Sequence, residues 1–116
     1  MPRIANHNGE LFRINTEINA IEYSANDGRT WTTRYISNTI GRFIQIIDFN
    51  DKLYACTSKG LYQSSNRGRN WTPVYTGKLI GVFDSIYEMG EALWAKTNKG
   101  LFFSNDGGKV WLPKLE

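Results

Sequence analysis

Short apolar-rich stretches, each broken by a polar, glycine-bearing turn, run the whole length of the chain. No segment repeats its apolar residues at helical spacing, so the pattern predicts an all-β protein. Residues 82–114 show the layout best. Strand A is expected over Val82–Met89, strand B over Ala92–Lys96, strand C over Leu101–Ser104 and strand D over Val110–Lys114. Gly90-Glu91 turns A into B, and Thr97–Gly100 forms the loop between B and C. Near the start, Asn8-Gly9 suits a primed hairpin turn, whose two central residues both take positive φ.

The layout recurs. Ser24, Asn26, Gly28 and Trp31 are matched by Ser64, Asn66, Gly68 and Trp71, and again by Ser104, Asp106, Gly108 and Trp111, at a constant spacing of 40 residues. Lys52–Tyr62 aligns with Ala92–Phe102 without a gap. The first copy is looser, with two extra residues between Asn15 and Ala20, after which Ile21 rejoins Leu61 and Leu101. Upstream, Ile4, Ile46 and Ile86 correspond. The chain therefore reads as one domain of three repeats, 1–36, 37–76 and 77–116, each of four strands.

Each Ser-to-Trp segment is expected to be a structural turn. Its Asn or Asp accepts hydrogen bonds from nearby backbone N–H groups. Its Gly admits a backbone angle that a Cβ penalises. Its Trp lays an apolar ring under the turn while the ring N–H finds a carbonyl.

These segments resemble the Asp-box (BNR) repeat found in sialidases, xyloglucanases, sortilin-type receptors and photosystem-assembly factors. Leu93–Trp111 is the stretch most similar to it, with Lys96 where glycine is usual; Cys56 takes that place in the second copy, and Asn66 and Asn26 replace the aspartate. The resemblance implies a β-propeller and leaves activity open, since proteins that share the repeat differ in function. Propellers close with roughly four to eight blades. Three blades are thus expected to form half of a six-bladed ring completed by a dimer, with a monomeric β-trefoil, also built from three four-stranded repeats, as the alternative. Sialidases among these relatives use an arginine from a Phe-Arg-Ile-Pro signature; Phe12-Arg13-Ile14-Asn15 lacks the proline and falls on strand B. A sialidase-like glycoside hydrolase stays as an alternative function on that ground, with Asp84, aligned with Ile44, as the carboxylate of interest.

Composition narrows the setting. With 41% hydrophobic and 14% aromatic residues the chain is that of a folded domain. No run approaches the roughly 18 apolar residues that a membrane span needs. The start lacks a signal-peptide pattern, and a lone cysteine, Cys56, has no internal partner, so the cytoplasm is the expected compartment, a phage particle being compatible. One histidine, His7, and one cysteine make no metal site, and no cofactor is indicated. His7 aligns with Phe49 and Met89, which predicts a place at the core edge or surface.

Net charge is +3, with the 14 basic residues spread along the chain, so nucleic acid is not an expected partner. In a propeller the B–C and D–A loops share one face. Here they carry Arg42, Lys59, Lys78, Thr97, Asn98 and Lys99, with Asn38 nearby, while Glu10, Asp48, Asp51, Glu88 and Glu91 fall at the A–B turns opposite. The expected function is a non-catalytic binding or scaffold module. It would assemble with itself and offer a basic face to an anionic glycan, a small molecule or an acidic protein surface. A pure protein–protein scaffold is the remaining alternative.

Overall fold

The computed structural model describes residues 4–36 and 39–114. Its strands fall into three antiparallel sheets. The first holds β1 (Ala5–His7), β2 (Glu10–Asn15), β3 (Ala20–Ser24) and β4 (Thr32–Ile36). The second holds β5 (Phe43–Phe49), β6 (Lys52–Thr57), β7 (Gly60–Ser64) and β8 (Thr72–Tyr75). The third holds β9 (Phe83–Met89), β10 (Ala92–Thr97), β11 (Gly100–Ser104) and β12 (Leu112–Pro113). Within each sheet the strands lie in sequence order. Three separate sheets, each a consecutive four-stranded meander packed face to face on the next, are the blades of a propeller arc and not the shared barrel of a trefoil.

Local chemistry explains the meanders. Asn8 and Gly9 take φ of 51° and 85°, the primed turn that joins β1 to β2, and Asn50-Asp51 repeats it with 51° and 64°. Two boundaries differ from expectation. Thr97 and Gly100 belong to the ladder, leaving Asn98-Lys99 as the two-residue loop. The fourth strand starts at Leu112 and not at Val110, because the N–H of Val110 is held by the Asp106 carboxylate at 3.0 Å.

Side-chain alternation puts the core between the blades. Phe12 and Ile21 of the first sheet meet Phe43, Ile46, Leu53 and Trp71 of the second. From the opposite side of the second sheet, Tyr54, Cys56 and Leu61 meet Phe83, Ile86, Leu93 and Trp111 of the third. The middle blade is thus buried on both sides, which is why Leu53 to Thr57 are all buried in succession. Each fully buried Leu, Ile or Phe contributes about 1.5–3 kcal/mol.

Polar clamps fix the joints. The Gln45 amide donates to the Ile86 carbonyl at 2.7 Å and accepts from the Ile86 N–H at 3.2 Å. His7 lies in the joint between the first two blades, 3% exposed, with Nδ1 2.6 Å from Asp48. Arg34 donates to the Arg67 carbonyl at 2.7 Å, pairs with Glu10 at 3.2 Å and lies over the Tyr23 ring. Among the described residues no helix is long and apolar enough to cross a membrane.

Candidate functional site

The Ser-to-Trp turns are closed on themselves. The Ser24, Ser64 and Ser104 hydroxyls accept from the N–H of Gly28, Gly68 and Gly108 at 2.8, 2.8 and 2.9 Å. They donate to Asn26, Asn66 and Asp106 at 2.9, 2.9 and 2.8 Å. Those oxygens in turn accept from the N–H of Thr30, Asn70 and Val110. Trp31, Trp71 and Trp111 donate their ring N–H to the carbonyls of Gly28, Gly68 and Gly108 at 3.1, 3.0 and 2.7 Å. The N–H of Val110 first, and the Ser104 hydroxyl after it, lower the pKa of the Asp106 carboxyl. Every one of these polar groups is engaged in closing its own turn.

The other sequence candidates lie at the opposite ends of the strands. There the β6–β7 and β10–β11 hairpins are latched to the chain entering their own blade. Thr57 and Thr97 donate to the carbonyls of Ile40 and Ile80. Ser58 accepts from the N–H of Arg42 at 3.0 Å, and Asn98 accepts from that of Val82 at 2.7 Å. The latches hold the loops apart around a cleft of about 720 Å³ between the second and third blades. Lys59, Lys78, Asn98 and Lys99 line it, together with Thr57 and Ser58. No carboxylate is among its described lining residues. The Lys59 ammonium donates to the Thr39 carbonyl at 3.1 Å, which positions it at the rim.

Four of the six candidates therefore converge. Thr97 is buried beneath them, serving the Ile80 carbonyl, and Arg42 is exposed and does not line the cleft. Asn38 lies outside the described residues. Two of the acidic residues expected opposite are engaged locally: Glu10 pairs with Arg34, and Asp48 lies 2.6 Å from Nδ1 of His7.

A second cleft, of about 850 Å³, is lined by residues of all three blades, among them Arg13, Glu17, Glu22, Gln45, Asp84 and Lys96. Only Arg13 and Asp84 stood out in the sequence, because no short motif connects residues supplied by three repeats. Arg13, the arginine of the sialidase-like tetrapeptide, donates to Glu22 at 2.8 Å and lies 4.1 Å over the Trp31 ring. The amide of Asn15, and then Arg13, hold the Glu22 carboxyl below its ordinary pKa. Burial pushes the Cys56 thiol up to about 12, which leaves it protonated and unreactive. Among the described residues no group of three His, Cys, Asp or Glu side chains could hold a metal ion.

A family model described as the DUF6242 beta propeller domain matches residues 3–115. Among solved structures, the chain is similar to YCF48 bound to D1 peptide, with 17% identity and a TM-score of 0.72, over 95% of this chain and 38% of that one. It is equally similar to YCF48 from Cyanidioschyzon merolae, with 17% identity and a TM-score of 0.72, over 97% of this chain and 42% of that one. The chain thus spans about two fifths of the length of these structures. At such identity the likeness speaks to the fold. No curated protein matches the sequence.

Proposed function

The chain belongs to the DUF6242 β-propeller domain family, and from that premise we propose that it is a non-catalytic protein-binding module. In this reading its basic cleft receives an acidic peptide segment of a partner, and its arc is completed by a second copy. The observation that carries the reading is the cleft itself. Lys59, Lys78 and Lys99 line one concavity that no described carboxylate shares. Three ammonium groups without a counter-charge favour an anionic occupant.

A peptide suits the cleft better than a glycan or a small anion. Leu79 is 86% exposed next to Lys78, and Val82, which lines the cleft, is 53% exposed. Apolar side chains beside ammonium groups match a segment that mixes acidic and apolar residues. One of the similar propellers, YCF48, has been solved bound to a peptide. The Asp-box segments act in this reading as turn staples, and a cytoplasmic setting accords with the thiol of Cys56.

The test is fluorescence anisotropy with a labelled Asp/Glu-rich peptide containing leucine, beside a sialylated and a sulfated oligosaccharide. Wild type is expected to bind the peptide, less tightly as salt rises toward physiological strength, where screening acts over about 8 Å. Lys59→Glu/Lys99→Glu is expected to weaken binding by at least roughly tenfold, because two attractions become repulsions. Binding of a glycan and no peptide would transfer the cleft to the glycan reading. Binding of neither would end the assignment.

A further inference from the structure

The two internal joints define what each side of a blade presents to its neighbour. The leading side, which meets the preceding blade, carries Leu53, Ala55, Tyr62 and Trp71 in the second blade, and Leu93, Ala95, Phe102 and Trp111 in the third. The trailing side, which meets the following blade, carries Phe12 and Ile14 in the first blade, and Ile44, Tyr54 and Cys56 in the second. Among the described residues two sides have no neighbour: the leading side of the first blade and the trailing side of the third.

Both free sides carry charge where the internal joints are apolar. On the first blade, Arg13 stands at the position of Ala55 and Ala95, and Glu22 at that of Tyr62 and Phe102. Trp31 keeps the place of Trp71 and Trp111. On the third blade, Lys96 stands at the position of Ile14 and Cys56, and Asp84 at that of Ile44. Strand alternation puts Trp94 and Phe103 beside Lys96, their ring centroids 5.1 Å apart, and Met89 at the position of His7 is 53% exposed. Large, partly exposed aromatics with interspersed charges of both signs are the makings of an interface and not of a solvated face.

We propose that two copies close head to tail, the trailing side of the third blade of each packing on the leading side of the first blade of the other. This deepens, and rests on, the reading of the chain as a self-assembling propeller. Both internal joints pair a trailing with a leading side, and sheets of one twist are shaped for that packing. The same packing between copies brings Lys96 and Asp84 of one copy to the face that carries the Arg13–Glu22 ion pair of the other, so charges of both signs stand on each side of the joint. Neither Asp84 nor Lys96 has a side-chain hydrogen bond or ion pair among the described residues. Two such joints close a ring on one two-fold axis, without a free end for a third copy.

The internal joints also say which residues meet. His7 faces Asp48 across the first joint at 2.6 Å. Met89 aligns with His7, and Asn6 with Asp48, so Met89 of one copy lies beside Asn6 of the other.

The test prepares Asn6→Cys and Met89→Cys as single variants of the full chain, treats each alone and then their mixture with a short bifunctional maleimide, and follows native mass by light scattering. Cys56, buried and protonated, stays silent. A covalent dimer is expected in the mixture and in neither variant alone. Lys96→Glu is expected to raise the dimer dissociation constant by roughly tenfold or more. A native dimer that yields no cross-link in the mixture, or cross-links within one variant alone, overturns the head-to-tail joint and leaves self-assembly standing. A monomer at micromolar concentration overturns both.

Discussion

At the scale of single residues, the Ser-to-Trp turns show one geometry reached with two chemistries. Asn26 and Asn66 supply a neutral oxygen where Asp106 supplies a charged one, and all three accept from the same serine hydroxyl and the same backbone N–H. The oxygen that closes the third turn therefore belongs to a group that acid can protonate. The pKa of Asp106 in the folded chain lies below its ordinary value, so its stabilisation is complete above the ordinary carboxylate pKa. That stabilisation is lost as pH falls through the lowered value. Asp106→Asn is expected to keep the turn, as Asn26 and Asn66 do, and to flatten the acid limb of the melting temperature plotted against pH. The shift should be small, since the carboxyl is solvent-exposed. An unchanged acid limb would mean that the carboxylate gains nothing from its N–H donors.

At the scale of elements, the outer strand of a blade covers the hairpin beside it. Gly60 opens β7 with a positive φ of 145°. A Cβ on Gly60 would stand 2.2 Å from the Tyr75 carbonyl. The reason is the outer strand: β8 reaches Tyr75, opposite Leu61. Gly60→Ala is expected to cost roughly 1–3 kcal/mol in urea unfolding, as a steric clash added to backbone strain. A loss no larger than that of an exposed loop substitution would show that β8 does not press on this glycine. The repeat marks Gly60 as a loop glycine, while the contact that excludes a Cβ there comes from a strand fifteen residues on.

At the scale of the whole molecule, the joints carry both stability and the site. Gln45 is 6% exposed and is bonded to both backbone groups of Ile86, so Gln45→Ala leaves a buried N–H and C=O without these partners. A loss of about 1–3 kcal/mol is expected. It should come with earlier loosening of the third blade, followed by Trp94 or Trp111 fluorescence against far-ultraviolet circular dichroism. Coincident, unshifted transitions would assign the joint's strength to its apolar contacts alone. The basic cleft spans this same joint, with Lys59 supplied by the second blade and Asn98 and Lys99 by the third. Weakening the joint should therefore weaken peptide binding too.

The repeat, the all-β class and the four-strand blade followed from the sequence alone, because each rests on chemistry local to one turn or one strand. Asn8-Gly9 imposes its hairpin wherever it stands, and Ser, Asn or Asp, Gly and Trp close their turn within eight residues. The propeller was expected from the resemblance of the turns, and the packing of separate sheets set the trefoil alternative aside. Only the tertiary structure decided that Lys59, Lys78 and Lys99 share a cleft while Arg42 does not, and that Thr97 is a buried latch. It also revealed Gln45 on Ile86 and His7 on Asp48, partners 41 residues apart. Such pairs leave no periodic trace, since each depends on how one blade settles against the next and not on the residues beside it in the chain.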